Sequence, residues 1–200
     1  MGTLKKMLFA AFAAAALIGN IEAQQKQVEK GAIALVYDRS QDETTLPADA
    51  DPVAAMIDTG EGFLVGNLAK SEDTRAYTNA NIFVAWKGYI KINADGAYTF
   101  SVIDGDETSI NTMVRIAGKE IINLVKNKET KGRRNRGNAY MASNWVQLQA
   151  GYYEIMIVGA FCPSPYAKYI KPACIKVTVM KKGNPLAKQE ITPASLLHEK

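Results

Sequence analysis

The stretch over residues 83–103 constrains the fold of this chain more than any other. It reads FVAWKGYIKINADGAYTFSVI, with apolar and polar residues alternating on either side of Asp95-Gly96. A period of two places the large apolar side chains on one face of a β-sheet. Asp-Gly supplies the positive φ angles that a tight hairpin turn needs. The stretch therefore predicts a β-hairpin with one buried face.

Other segments show the same apolar alternation or short apolar runs bounded by turn residues. These segments are predicted as strands, over 31–37, 110–116, 120–124, 152–158 and 174–180. Residues 53–57 are predicted as one helical turn, and Gly118-Lys119 as a turn between strands. Several short strands with almost no helical periodicity favour an all-β protein, an antiparallel β-sandwich.

The order of these segments resembles the PA14 domain, a β-sandwich of secreted proteins. The family's central W-x-G-Y-I and G-x-Y-T-F are matched from Trp86 to Phe100. Weaker matches are the opening G-x-x-x-x-x-Y, the I-x-G-K hairpin, the (apolar)-x-L-x-A-G-x-Y passage and the closing I-x-P-x-S-L, at 31–37, 116–119, 146–153 and 191–196. The resemblance implies a PA14-like sandwich over 31–197, between a polar segment at 24–30 and a tail at 198–200.

The first 23 residues have the pattern of a secretory signal peptide. Lys5 and Lys6 precede an apolar run over 7–18, and the small Ala23 ends a plausible cleavage site. The run is short for a bilayer span, and no later segment resembles a transmembrane helix. We therefore expect an exported protein, located in the periplasm, on the cell surface or outside the cell.

Cys162 and Cys174 are the only cysteines. An even count in an exported chain indicates a disulfide, which here closes a proline-rich loop. A metal site at these cysteines has no further cysteine and no nearby histidine to support it.

No catalytic pattern is present in the sequence. The single histidine, His198, lies near the end of the chain, where we expect a solvated tail residue. The sequence contains no G-x-S-x-G, H-E-x-x-H or phosphate-binding loop. We therefore predict a protein that is not an enzyme.

An acidic segment follows the second strand of the predicted hairpin. Asp104, Asp106 and Glu107 are hard oxygen donors of the kind that Ca²⁺ prefers. In sugar-binding PA14 domains, two adjacent aspartates at this place hold Ca²⁺, which in turn holds sugar hydroxyls. The resemblance therefore implies metal ligands at Asp104, Asp106 and Asn111, although Gly105 here separates the two aspartates. The alternative is a solvated acidic turn.

A basic cluster occupies the segment 126–136. It contains six cationic residues, Lys126, Lys128, Lys131, Arg133, Arg134 and Arg136. With Trp145 nearby, the three arginines form a candidate site for an anionic partner such as a sulfated glycan, a lipopolysaccharide phosphate or a nucleic acid. The alternative is a solvated loop, since charge runs are usually exposed. The formal net charge of +4 is too small to indicate a nucleic-acid partner.

Two functions are compatible with these features. The first is an exported binding module for glycans, related to adhesion, that uses loops at one end of the sandwich. The second is a structural or assembly component of a surface or secretion apparatus that binds another protein. The acidic residues Asp42, Glu43, Asp49 and Asp51 can complement the basic cluster of a neighbouring subunit, so oligomerisation fits the second hypothesis.

Overall fold

Two antiparallel sheets bury their apolar faces against each other, as the alternation predicts. The computed structural model describes residues 28–40, 43, 45–65, 68–70, 73–77, 80–104, 109–125, 139–161, 174–184, 186 and 188–200. The predicted signal peptide at 1–23 lies outside the described residues. Within them, no helix is long and apolar enough to cross a membrane.

Sheet A contains eight strands. They are β1 (Val28–Lys30), β2 (Ala32–Asp38), β3 (Ala54–Asp58), β7 (Ile82–Ile92), β9 (Ser109–Ile116), β10 (Lys119–Val125), β13 (Gly151–Phe161) and β16 (Leu197–Glu199). Strand β7 is central, because β13 pairs with one of its edges while β2 and β16 share the other.

Sheet B contains six strands, and a separate pair forms a small third sheet. The strands of sheet B are β4 (Phe63–Leu64), β8 (Gly96–Asp104), β11 (Ala139–Ala142), β12 (Val146–Leu148), β14 (Cys174–Lys181) and β15 (Gln189–Ile191). The separate pair is β5 (Ala69–Lys70) with β6 (Asp73–Ala76), and a 3-10 helix spans Pro193–Ser195.

The predicted hairpin at Asp95-Gly96 is wrong in its pairing, although both of its strands are present. Strand β7 belongs to sheet A and β8 to sheet B, so the turn is an arch that crosses the sandwich. Other strands already pair with both edges of β7 and of β8. The arch lets Trp86 and Phe100, both fully buried, face the core from opposite sheets.

Three other sequence predictions are also corrected. Residues 53–57 do not form a helical turn, since β3 pairs there with the edge of β2. Residues 28–30 of the predicted polar segment 24–30 and the predicted tail 198–200 belong to the sandwich, because β1 pairs with β16. His198 is therefore a buried strand residue, whose Nδ1 lies 3.2 Å from the carbonyl oxygen of Gly31.

A second apolar cluster covers part of the outer face of sheet A. Its buried members are Tyr37, Phe83, Ala85, Met113, Val158 and Ala160. Leu46 and Ala50 pack against it from the connection between β2 and β3. Sheet A therefore buries apolar side chains on both of its faces.

Candidate functional site

The acidic, basic and cysteine-bearing segments noted in the sequence are all attached to strands at one end of the sandwich. Three connections cross between the sheets there, namely 105–108 from β8 to β9, 126–138 from β10 to β11, and 162–173 from β13 to β14. The first contains the acidic residues, the second the basic cluster and the third the proline-rich loop. These connections lie outside the described residues, but the strands that carry them are described. We call this the loop end.

Strand register places the attachment points of the three connections side by side. Asp104 at the end of β8 pairs with Ala139 on one side and with Ile175 on the other. In sheet A, Asn111 pairs with Val125, the last residue of β10. Neighbouring strands lie about 4.8 Å apart, so all three connections start and end within a small area.

Asp104 and Asn111 lie in different sheets. Asn111 is 3% exposed and shares a face of β9 with Met113, which belongs to the cluster on the outer face of sheet A. That face is directed away from sheet B, in which Asp104 lies. The structure therefore does not bring Asn111 together with the strand position of Asp104. Asp106 lies outside the described residues, within which no group of three or more His, Cys, Asp or Glu side chains can hold a metal.

Trp145 lies away from the loop end. It precedes Val146, which pairs with Tyr98 near the start of β8, whereas the basic cluster is joined to Ala139 opposite Asp104. Six residues of strand separate Tyr98 from Asp104, or about 20 Å. Arg133, Arg134 and Arg136 lie outside the described residues.

The candidate disulfide lies largely outside the described part of the chain. Cys162 follows the last residue of β13 and is not described, while Cys174 is the first residue of β14. The disulfide between them stays a prediction.

Arg39 connects segments of chain at the loop end through hydrogen bonds, a role that the sequence did not predict. Its Nε donates to the carbonyl of Phe161 at 3.1 Å, and its Nη2 donates to Oδ1 of Asn81 at 2.9 Å. Its Nη1 donates to the carbonyls of Ser40 at 3.1 Å and Glu43 at 2.8 Å. Arg39 is only 6% exposed, so a buried guanidinium joins three segments of chain at this end. A lone arginine after a strand carries no pattern that predicts such a role.

The fold defines a β-sandwich domain in which three connections between the sheets begin and end at one end. The chain belongs to the PA14 domain family, whose model matches residues 44–158. No curated protein matches the chain.

Solved structures with the same fold come from proteins of several kinds. A PA14 sugar-binding domain from an RTX adhesin is 14% identical with a TM-score of 0.52, and the match covers 81% of this chain and 94% of that one. An anti-sigma factor domain-containing protein is 20% identical with a TM-score of 0.54, covering 86% of this chain and 48% of that one. A β-glucosidase from Kluyveromyces marxianus, in complex with glucose, is 18% identical with a TM-score of 0.51, covering 84% and 18%.

These likenesses show the fold. The chain spans about half of the anti-sigma factor domain-containing protein and less than a fifth of the β-glucosidase. The fold thus occurs in a sugar-binding domain of an adhesin and as a part of longer proteins, one of which is a β-glucosidase.

Proposed function

We propose that the protein is an exported, non-enzymatic glycan-binding module related to adhesion, which binds its ligand through the loop end. The observation that supports this proposal is the strand register, which brings the ends of three connections together at one end of the sandwich; one connection is acidic, one basic and one proline-rich. Binding residues are commonly placed on loops that such a scaffold positions. The fold is shared with a sugar-binding adhesin domain, which favours a glycan over other ligands.

Ca²⁺ fits part of the predicted ligand set. Asp104 and Asp106 are carboxylates beside the same connection, and carboxylate oxygens suit Ca²⁺. Asn111 does not fit, because it lies on the outer face of sheet A. When bound, Ca²⁺ would supply a cation that sugar hydroxyls can coordinate. We therefore propose Asp104 and Asp106 as metal ligands, without Asn111.

The basic cluster adds a second recognition element at the same end. Arg133, Arg134 and Arg136 can bind sulfate or carboxylate groups of a glycan through paired hydrogen bonds. Trp145 has no part in this element, since it lies about 20 Å along the strand from the loop end.

A non-enzymatic role is consistent with the described side chains. The single histidine of the chain, His198, is buried between strands and its Nδ1 contacts a backbone carbonyl, so it is poorly placed as a general base. His198 also lies in β16, which pairs with β7 near Tyr89, far from the loop end. We expect no hydrolysis of a panel of glycosides.

A glycan array tests the proposal, with the protein applied once with Ca²⁺ and once with a chelator. We expect specific binding that is lost with the chelator and in the Asp104→Asn and Asp106→Asn variants. A variant with Arg133, Arg134 and Arg136 changed to Gln should lose sulfated ligands selectively, and Asn111→Ala serves as the matched control. Absence of binding in both buffers would overturn the proposal.

The alternative is an assembly component that binds another protein through a sheet edge. Among the described strands, β3 pairs only with β2; Val53 just before it and Ile57 within it are 54% and 51% exposed. An exposed apolar edge of this kind favours pairing with another chain. Light scattering distinguishes the two functions: concentration-dependent association that Ile57→Lys abolishes would support assembly.

A further inference from the structure

The outer face of sheet B carries two exposed aromatic side chains that the loop end does not use. Tyr140 is 61% exposed and Trp145 is 47% exposed. Tyr140 pairs with Ile103, which alternates with the buried Val102, so Tyr140 points away from the core. Val146 packs against the core, and its neighbour Trp145 therefore lies on the outer side. Both rings belong to the same face.

Hydrogen bonds fix the backbone that carries Trp145. The N–H of Ser143 donates to the carbonyl of Phe100 at 2.8 Å, and the N–H of Phe100 donates to Oγ of Ser143 at 3.0 Å. Thr99 Oγ1 donates to the carbonyl of Ser143 at 2.9 Å. A ring on a fixed backbone loses little conformational freedom when a ligand stacks on it. Trp145 is thus preorganised for contact.

A cation lies beside the exposed indole. The Nζ of Lys182 is 5.9 Å from the centre of the Trp145 ring. Because β12 and β14 flank opposite sides of β8, the indole and the lysine meet over the outer face of β8. The distance is close to the outer limit for a cation–π interaction, and Trp145 is still 47% exposed beside the lysine. A ligand stacked on Trp145 would therefore meet an ammonium group at its side.

Small side chains lie between and beside the two rings. Ala142, which pairs with Ser101, lies between them along the strands, and Ser101 and Thr178 lie beside it with their hydroxyl oxygens 2.6 Å apart. Tyr140 lies opposite Ile103 and Trp145 beside Thr99, so about 13 Å of strand separates the two aromatics. The shape is a strip and not a pocket, which favours an extended ligand.

Charge on the described part of this face favours an anion. Lys176 is exposed on β14, two residues before Thr178 on the same face, and Lys182 follows the strand. Among the described residues of this face, the acidic side chain is that of Glu190, which pairs with Thr178. Lys176 and Lys182 outnumber Glu190, so the net positive charge of this face attracts an anionic chain whose charges are widely spaced. Nucleic-acid binding depends on many phosphate contacts, which this face does not supply.

We propose that Tyr140, Trp145, Lys176 and Lys182 form an aromatic strip that binds an extended anionic polysaccharide, such as a polyuronate. Pyranose rings present C–H faces that stack on the negative faces of aromatic rings. The carboxylates along the polymer pair with the two lysines. Tyr140 and Lys176 both pair with Ile103, next to Asp104 at the loop end, whereas Trp145 and Lys182 lie near the other end of β8. The site does not depend on Ca²⁺.

Affinity electrophoresis of the protein in gels that contain polygalacturonate tests the aromatic strip. We expect Trp145→Ala and Lys182→Gln each to weaken retention about tenfold. The matched control is Tyr152→Ala, because Tyr152 is 58% exposed with Lys91 Nζ 6.0 Å from its ring, but lies on sheet A. The control should be retained like the unmodified protein, and neutral dextran should retain none of them.

Two results would overturn the aromatic strip: unchanged retention of Trp145→Ala and Lys182→Gln, or single-stranded DNA that displaces the polyuronate at lower concentration. Lys182→Gln changes an exposed side chain, so it keeps the test valid if Trp145→Ala fails to fold. Asp104→Asn separates this proposal from the loop end. It should leave polygalacturonate retention unchanged, whatever the glycan array shows.

Discussion

Trp86 donates its indole N–H to the carboxylate of Asp58, with 2.8 Å between Nε1 and Oδ2, and both side chains are buried. Asp58 also accepts the backbone N–H of Gly60 at 2.9 Å. The rings of Phe63 and Phe161 pack edge-on against the indole, at 5.5 Å and 6.3 Å between centroids. The tryptophan of the W-x-G-Y-I motif is therefore a core residue whose one polar atom, Nε1, has a hydrogen-bond acceptor.

Asp58→Ala should lower the free energy of unfolding by about 1–3 kcal/mol, because the indole N–H of Trp86 loses its acceptor inside the core. Urea denaturation followed by tryptophan fluorescence measures the change. Asp49→Ala, at an exposed aspartate, is the control and should stay within about 0.5 kcal/mol of the unmodified protein. An Asp58→Ala variant as stable as that control would contradict the prediction.

Arg39→Lys should lose about 2–3 kcal/mol of stability, because an ammonium group cannot reproduce the hydrogen bonds from Nε, Nη1 and Nη2 to separate segments. Glycan binding at the loop end should weaken as well, while retention by polygalacturonate through the aromatic strip stays the same. Chemical denaturation together with both binding assays measures these effects. Equal loss in the two binding assays would mean that Arg39 acts on the whole fold.

Stability should fall as the pH rises above the ordinary tyrosine pKa of 10.0. Burial of Tyr37, and secondarily the charge of Asp51, raise the pKa of this phenol in the folded state. The folded protein then holds a proton that the unfolded chain releases, so the contribution is complete below pH 10.0 and is lost at higher pH. Urea denaturation between about pH 8 and 11 should show the decline, and Tyr37→Phe should reduce its slope.

A chain that ends at Leu196 should be less stable by at least about 1 kcal/mol, with a Tm lower by about 2–4 °C. Removing β16 exposes the edges of β1 and β7 and eliminates the contact between His198 and Gly31. Calorimetry measures the shift. A Tm equal to that of the complete chain would contradict the pairing of β16 and favour the solvated tail that the sequence predicts at 198–200.

Strand positions were predictable because alternation reports burial directly. Predicted strands at 110–116, 120–124 and 174–180 match β9, β10 and β14 to within one residue at each end. Pairing was less predictable, because alternation reports which face is buried but not which neighbour lies alongside. The Asp95-Gly96 arch shows this, since a hairpin and an arch require the same buried residues on each strand.

The candidate site was predictable to a similar extent, because its segments could be predicted from the sequence but their proximity could not. Sequence singled out the acidic, basic and cysteine-bearing segments separately, and only the strand register places their ends together. Arg39 and Asp58 escaped notice because their partners are a backbone carbonyl and a tryptophan that are distant in the chain, 122 and 28 residues away. His198 was expected in a tail because its partners in β1 lie at the opposite end of the sequence.

The pairing of β1 with β16 places the first and last described strands side by side at one edge, where Lys200 Nζ and Glu29 Oε1 are 2.7 Å apart. A unit built this way can be spliced into a surface turn of a host protein without forcing the host's flanking residues apart. Because that edge meets β7 near Tyr89, the spliced unit would stand with its loop end turned outward from the host. The geometry therefore suits a domain that can be inserted whole into a longer protein.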